Sequence, residues 1–308
     1  MKRHCKLLCL LLTALILTAC TPDTPPTATG DFLFTDSTGH EVSLTQTPQK
    51  VAVLLSSFAE IWQLAGGEVA VTVGESVERD ICKESVTLVD EGAGKSVNTE
   101  VLIASAPDLV ILSADIPAQA EAAALCRAAG IPVAEMRVEC FAEYLSMLKI
   151  CTDLTGRSDL YAQYGTAQAA QIDALIAAKP LAGSKILFVR AGTSARSVKP
   201  KSSEDHFAAA MLAELGATNI ADGTPLLADG LSMEHILSEN PDYIYFTSMG
   251  DEQSSRAFVE EMLKSPEWQA LTAVKSGHYT FLPKENFHYK PNANWAQSYA
   301  YLCDTNTK

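Results

Sequence analysis

Residues 100–112 and 234–246 repeat one order of residue types at a fixed offset. Each opens on a glutamate, Glu100 or Glu234, and runs through a short apolar-periodic stretch. Each then reaches Pro107-Asp108 or Pro241-Asp242 and ends in a continuous apolar run. The glutamate, proline and aspartate are all displaced by 134 residues (234 − 100, 241 − 107, 242 − 108). Solenoid units repeat every 20–50 residues or so, so an offset this long indicates two lobes of similar construction. Asn98 and Ser232 stand two residues before the glutamates and are good N-cap types. Each glutamate then falls in a first helical turn, facing the positive end of the helix. The prolines are expected to end the helices by restricting the residue before them. The apolar runs after the aspartates read as buried strands. Two roles are open to Glu100 and Glu234. They are dipole partners worth ~0.3–1 kcal/mol each, or matching carboxylates with which two lobes dock on a symmetric partner.

The amino terminus carries a second signal. Lys2, Arg3 and Lys6 precede an apolar core over 7–17, followed by Leu17-Thr18-Ala19-Cys20. That core is too short and wrongly flanked for a spanning helix, so residues 1–19 read as a secretory signal peptide. A cysteine directly after small residues resembles the lipobox of bacterial lipoproteins. The resemblance implies that Cys20 is lipidated, becomes the first mature residue and holds the protein to the membrane; an ordinary signal peptide with an incidental cysteine is the alternative. Residues 20–30 are rich in proline and threonine without periodicity, as a flexible tether is.

About 280 residues remain, enough for two modest domains. The formal charge is −14; without Lys2, Arg3 and Lys6 it is 20 basic against 37 acidic residues, or −17. That balance makes nucleic acid a poor partner. Cys82, Cys126, Cys140, Cys151 and Cys303 are odd in number and form no C-x-x-C, which argues against a complete disulfide framework. Cys126 and Cys151 fall in helical patterns as core residues, and one bridge elsewhere stays open.

Strand-like and helical runs alternate. Strands are expected at 51–55, 69–73, 86–89, 109–112 and 133–138, with helices at 58–65, 99–105 and 119–129 between them. This is the pattern of a parallel α/β lobe over 31–156. Residues 141–179 carry no strand signal. Gly156 divides them, and Ser158 is expected to cap a helix over 159–179 that spans ~30 Å. Residues 157–180 thus form a linker helix, ended by Pro180 and Gly183. Alternation resumes over 181–308 with strands at 186–189, 219–221, 243–247 and 279–282 and helices at 206–215, 233–238, 255–263 and 293–302. The expected fold class is α/β: two Rossmann-like lobes joined by a single long helix, with a ligand cleft between them.

These parts resemble the helical-backbone (class III) periplasmic binding proteins, the substrate-binding lipoproteins of bacterial ABC importers for siderophore iron, haem and cobalamin. The resemblance covers about 31–303. It rests on residues 48–57 with Glu60 after them, on Asn98-Thr-Glu100 with Pro107-Asp108, on the single long helix, and on Ser232-Met-Glu234 with Pro241-Asp242. It implies a rigid inter-lobe helix that limits opening. It also implies that Glu100 and Glu234 grip arginines on the two subunits of a permease dimer, which works with ATPase subunits. The implied protein is extracytoplasmic and lipid-anchored to the bacterial cell membrane, has no intrinsic cofactor and is not an enzyme. Its cargo is a small-molecule metal chelate.

Ligands of α/β lobes bind beyond the carboxyl ends of the strands. Those ends place Ser57, Glu75, the segment 190–201 and the segment 283–295 at the cleft. The first long segment offers Arg190, Ser194, Arg196 and Lys199, and the second offers Lys284, Phe287, His288, Tyr289 and Trp295. Arginine forks and flat rings suit an anionic ligand with planar parts; a solvated basic loop with aromatic packing is the alternative. His288 is also a candidate axial ligand to haem or a corrinoid. No HxH or His-rich loop marks a zinc or manganese site, and G-x-S-x-G, H-E-x-x-H and phosphate- or dinucleotide-binding glycine motifs are absent. Two further expectations remain: a free zinc or manganese binder, and a surface enzyme that processes a chelate on the same scaffold.

Overall fold

The computed structural model describes residues 31–90, 96–223 and 231–305; the signal segment, Cys20 and the tether lie outside them. The strands are β1 (Phe32–Thr35), β2 (Glu41–Leu44), β3 (Val51–Val53), β4 (Val69–Thr72), β5 (Thr87–Leu88), β6 (Leu109–Ser113), β7 (Val133–Met136), β8 (Lys185–Ala191), β9 (Lys199–Pro200), β10 (Thr218–Asn219), β11 (Tyr243–Ser248) and β12 (Tyr279–Leu282). One parallel sheet runs β5-β4-β3-β6-β7. The other runs β10-β8-β11-β12, also parallel, with β9 antiparallel on β8. The central strands β3 and β6 are buried at every residue, as strands covered by helices on both faces must be. Two lobes of this kind were legible in the sequence. The β1–β2 hairpin was not; its Asp36 accepts from the Glu135 amide at 3.1 Å and so fastens it to β7.

The repeated aspartates have a role that spacing did not reveal. Asp108 accepts from the Gln49 and Lys50 amides at 2.7 and 3.0 Å, and its own amide donates to the Lys50 carbonyl. Asp242 accepts from the Lys185 amide at 2.8 Å while its amide donates to the Lys185 carbonyl. Each staples the start of one central strand to the start of its neighbour, β6 to β3 and β11 to β8. The prolines act differently from expectation. Ala106, Lys179 and Asn240, each directly before a proline, turn left-handed with φ of 49°, 43° and 44° instead of extending. Each sends its amide back to close the last helical turn, onto Ile103, Ile176 and Ile236.

The connector is helical from Ser158 to Ala178, with a π turn over Ala162–Thr166. Ser158 is not its cap. The helix Phe141–Thr155 ends in a Schellman pair, with Gly156 at φ 71° donating to Asp153 and Arg157 donating to Thr152. Arg157 therefore occupies the cap position, and its side chain pairs with Asp159. Gly165 lies where a Cβ would come within 3.1 Å of Leu145, so the connector packs closely on the helix before it.

One apolar cluster passes through the junction, from Val53 and Ile111 through Met147, Leu148, Cys151 and Ile172 to Phe188, Phe207, Trp295 and Leu302. Two buried amides cross the same junction. Asn292 donates to the Ser57 carbonyl at 2.9 Å and to Glu60 at 2.8 Å. Gln168 on the connector donates to the Asn292 carbonyl and accepts from the Ala296 amide, both at 3.1 Å. The five described cysteines are free thiols, with Cys82, Cys126 and Cys151 buried.

Asn292 is fully buried and has φ of 47°. Asn292→Ala should lower unfolding stability by about 1–3 kcal/mol, because it deletes both buried bonds of the amide and puts alanine, which tolerates left-handed backbone less well than asparagine, at this position. Asn292→Gly should recover about 1 kcal/mol of that loss, the backbone part. Urea titration decides; an Asn292→Ala variant as stable as the wild-type protein would show that the bridge carries no weight.

Candidate ligand-binding site

Apart from β9, the strands of each large sheet point one way, so each lobe has a single edge of strand carboxyl ends. At the N-terminal edge, Ser56 begins the helix Ser56–Leu64 directly after β3, and a short helix, Gly74–Glu78, follows β4. The Ser56 hydroxyl donates to the Glu75 carboxylate and accepts from Arg79 Nη1 at 2.9 Å. Arg79 Nη2 lies 3.8 Å from Glu60 and 3.7 Å from Glu285, and the guanidinium stacks 3.9 Å over the Tyr289 ring. Only 11% of this side chain is exposed. Arg79 thus reaches from the first lobe to the segment after β12. Sequence reasoning missed it; its i, i+4 spacing from Glu75 is the one available signal.

At the opposite edge, Arg190 closes β8 and lies in register with Lys199 on β9, so the chain 190–201 doubles back on itself. Ser194 bonds Ser197 inside that turn, and both Ser194 and Arg196 are exposed at its tip. Lys284 donates to the Gly250 carbonyl at 2.8 Å and lies 5.2 Å from the Tyr289 ring. Lys290 donates to Glu139 at 2.7 Å, a bond between the last segment and the first lobe, and lies over Phe207. Burial pulls the Lys290 ammonium down, with Glu139 opposing.

His288 stands among these cations. Burial, then Lys284, Arg190, Arg79 and Lys290, depress its imidazole to about 4, so it is neutral at pH 7. His206 is lowered to about 3 by burial and then by Lys290, His288, Arg190 and Lys201. Its Nδ1 accepts from the Ala208 amide at 3.2 Å as the cap of the next helix, which also requires the neutral ring. Burial raises the Glu60 carboxyl, against the bond from Asn292 and the charge of Arg79.

Three residues expected at the ligand are buried within the protein. Phe287 and Trp295 are 0% exposed. Trp295 packs its ring against Phe141, Tyr144 and Phe207 in the shared core, and Phe287 packs on Tyr301 while its carbonyl accepts from Thr247. Both stand on strand-end segments, but those segments fold inward to close the junction. Ser57 is buried and gives its carbonyl to Asn292. Arg190, Lys284, His288 and Tyr289 do converge, and Arg79 ties them to Glu75.

Asp36, His40 and Glu135 form a cluster of metal-ligand types. Arg127 lies 2.6 Å from Glu135, and the Asp36 oxygens accept from the amides of Thr38, His40 and Glu135. Burial would raise Asp36, yet the bond from the Thr38 hydroxyl at 2.7 Å and then those amides lower it, as in a turn-closing carboxylate. A cavity of about 470 Å³ opens against Tyr243, His278, Tyr279 and Tyr301, at the amino ends of β11 and β12 and away from the cation cluster.

Glu100 and Glu234 are exposed in the first turns of the helices Thr99–Ala104 and Met233–Glu239. The Asn98 side chain accepts from the Val101 amide and Ser232 from the His235 amide, both at 3.1 Å, so both expected caps form. Each helix leads into a strand, β6 or β11, so both carboxylates lie toward the strand carboxyl ends, one per lobe.

Solved structures share this architecture. Siderophore-binding protein BauB, bound to two acinetobactin molecules and ferric iron, aligns over 89% of this chain and 97% of its own, with a TM-score of 0.70 and 13% identity. The catecholate-siderophore binding protein VctP of Vibrio cholerae aligns over 90% and 100%, with a TM-score of 0.68 and 13% identity. SirA of Staphylococcus aureus, complexed with staphyloferrin B, aligns over 89% and 96%, with a TM-score of 0.66 and 17% identity. No curated protein matches the sequence. The periplasmic binding protein family matches residues 51–286, most of the chain, and with the two lobes, the helical connector and the facing strand ends this protein belongs to that family.

Proposed function

We propose that this protein is the substrate-binding lipoprotein of an ABC importer, anchored outside the cell membrane through Cys20, and that it delivers an iron complex or related metal chelate to a permease dimer. The observation that carries the reading is the pairing of a cation-rich inter-lobe cluster with one exposed, capped carboxylate on each lobe. The cluster supplies guanidinium forks, ammonium groups and a ring face, the chemistry that grips a charged, partly planar chelate. The two carboxylates suit a two-fold basic partner. That three siderophore binders share the fold supports this cargo class. A bare zinc or manganese ion is disfavoured at His288, because four cations bear on that ring.

Thermal-shift screening of the full chain against ferric siderophores, haem and cobalamin tests the cargo. A true ligand at 100 times its Kd should add about 2.7 kcal/mol of stability; stabilisation by zinc or manganese alone would overturn the reading. The double variant Glu100→Ala/Glu234→Ala should keep its ligand affinity within about twofold while cellular uptake falls at least about tenfold. Undiminished uptake would return both glutamates to helix capping.

The histidines predict an acid response. The folded pKa of His288, about 4, lies below the unfolded value of about 6.5. The unfolded chain therefore takes up the proton first, so this contribution is intact above about pH 6.5 and is lost as pH falls toward 4. His288→Gln should flatten the fall in urea midpoint across that window. Parallel slopes would show that the imidazole is not held among the cations.

A further inference from the structure

The cavity of about 470 Å³ at the amino ends of β11 and β12 has a chemistry unlike that of the cleft. Its walls carry Tyr243, Tyr279 and Tyr301, with His278 and the Asp304 carboxylate, and among the described residues no lysine or arginine lines it. The lysines beside it are engaged elsewhere. Lys275, next to the lining Ser276, donates to the Ala270 carbonyl at 2.9 Å. Lys185, beside the register partner of Tyr243, pairs with Glu239 at 2.9 Å. Asp304 follows Tyr301 by three residues on the helix Trp295–Thr305, so ring and carboxylate share one helix face. The walls are held by contacts of their own. Tyr243 stacks on His278 with ring centroids 4.8 Å apart and planes 11° apart. Tyr279 meets Phe281 edge to face at 6.3 Å, and Tyr301 packs on Phe287 at 5.6 Å. The turn into β12 is closed by the Gly277 and His278 amides on the Val274 and Ala273 carbonyls, at 3.2 and 2.8 Å.

We propose that this cavity is a second ligand site, separate from the cleft, and that it takes a small dissolved organic cation of the alkylammonium class. The face of a tyrosine ring is negative, so rings around a pocket attract an ammonium group and pack against its alkyl arms. The Asp304 carboxylate adds a full negative charge at the wall. An anion entering here meets that carboxylate and the ring faces with no lining lysine or arginine to offset them. The volume lies within the range of small-molecule sites, and walls already held in place lower the ordering cost of binding. The source of the cation follows from direction. The strands of this sheet carry their carboxyl ends to the side of the cleft and of Glu234, so the cavity at their amino ends looks the other way. On the reading that Glu234 meets a permease, the mouth turns from the membrane, which favours a dissolved cation over a lipid headgroup.

Calorimetry on the purified full chain tests this with choline as the probe and 3,3-dimethylbutan-1-ol as its uncharged counterpart of the same shape. Choline should bind, and the alcohol should bind about fivefold or more weakly by comparison. Tyr301→Leu removes a ring and Asp304→Asn removes the charge, both at exposed positions. Each should weaken choline about fivefold or more, while the affinity for whichever chelate the thermal screen identifies stays within about twofold. Thermal midpoints within a few degrees of wild type show that both variants fold. Preference for the alcohol or for glucose, undiminished choline binding by both variants, or no heat up to about 10 mM choline overturns the inference. Sedimentation with phosphatidylcholine vesicles that Tyr301→Leu abolishes overturns the assignment to a dissolved cation. None of these outcomes bears on the chelate reading, because the cavity shares no lining residue with the cation cluster around Tyr289.

Discussion

The facing of the two lobes depends on the buried amide bridge between Asn292 and Gln168. Asn292 holds the first helix of one lobe through the Ser57 carbonyl and Glu60, while Gln168 holds Asn292 and the final helix from the connector. An apolar core crosses the same plane, so separating the lobes would expose Trp295, Phe207 and Tyr144 to water as well as breaking these bonds. Buried amides in such a place specify one geometry, because any other leaves their donors unpaired. The cleft edges are thereby fixed before a ligand arrives, which lowers the ordering cost of binding.

The repeat separates two tasks within one motif. Its aspartates point inward and staple the starts of paired central strands. Its glutamates, eight residues earlier (108 − 100 and 242 − 234), stay in solvent at helix starts. A short helix between them puts the two carboxylates at opposite ends of the strand layer. Structural and outward-facing acids thus arise from one sequence unit used twice.

The cleft inverts the sign of the molecule. Its histidines are neutral because burial and the neighbouring lysines and arginines oppose a further proton. A low-dielectric wall with fixed positive groups focuses attraction on anions. The overall negative charge stays outside, where it serves solubility.

The sequence alone determined the two-lobe α/β class, the helical connector, the caps at Asn98 and Ser232, and the strand-end segments that hold Arg190, Lys284, His288 and Tyr289. These are legible because apolar periodicity, caps and strand order are local or depend on regular spacing. Tertiary structure decided which side chains on those segments face the cleft. Phe287 and Trp295 turn into the core, and Arg79, from a one-turn helix without an apolar pattern, comes to stand on Tyr289. It also decided the amide bridge, whose partners lie 124 to 235 residues apart. Such choices are made by which donors and rings find partners once the lobes pack, and no local pattern records the identity of a partner so distant along the chain.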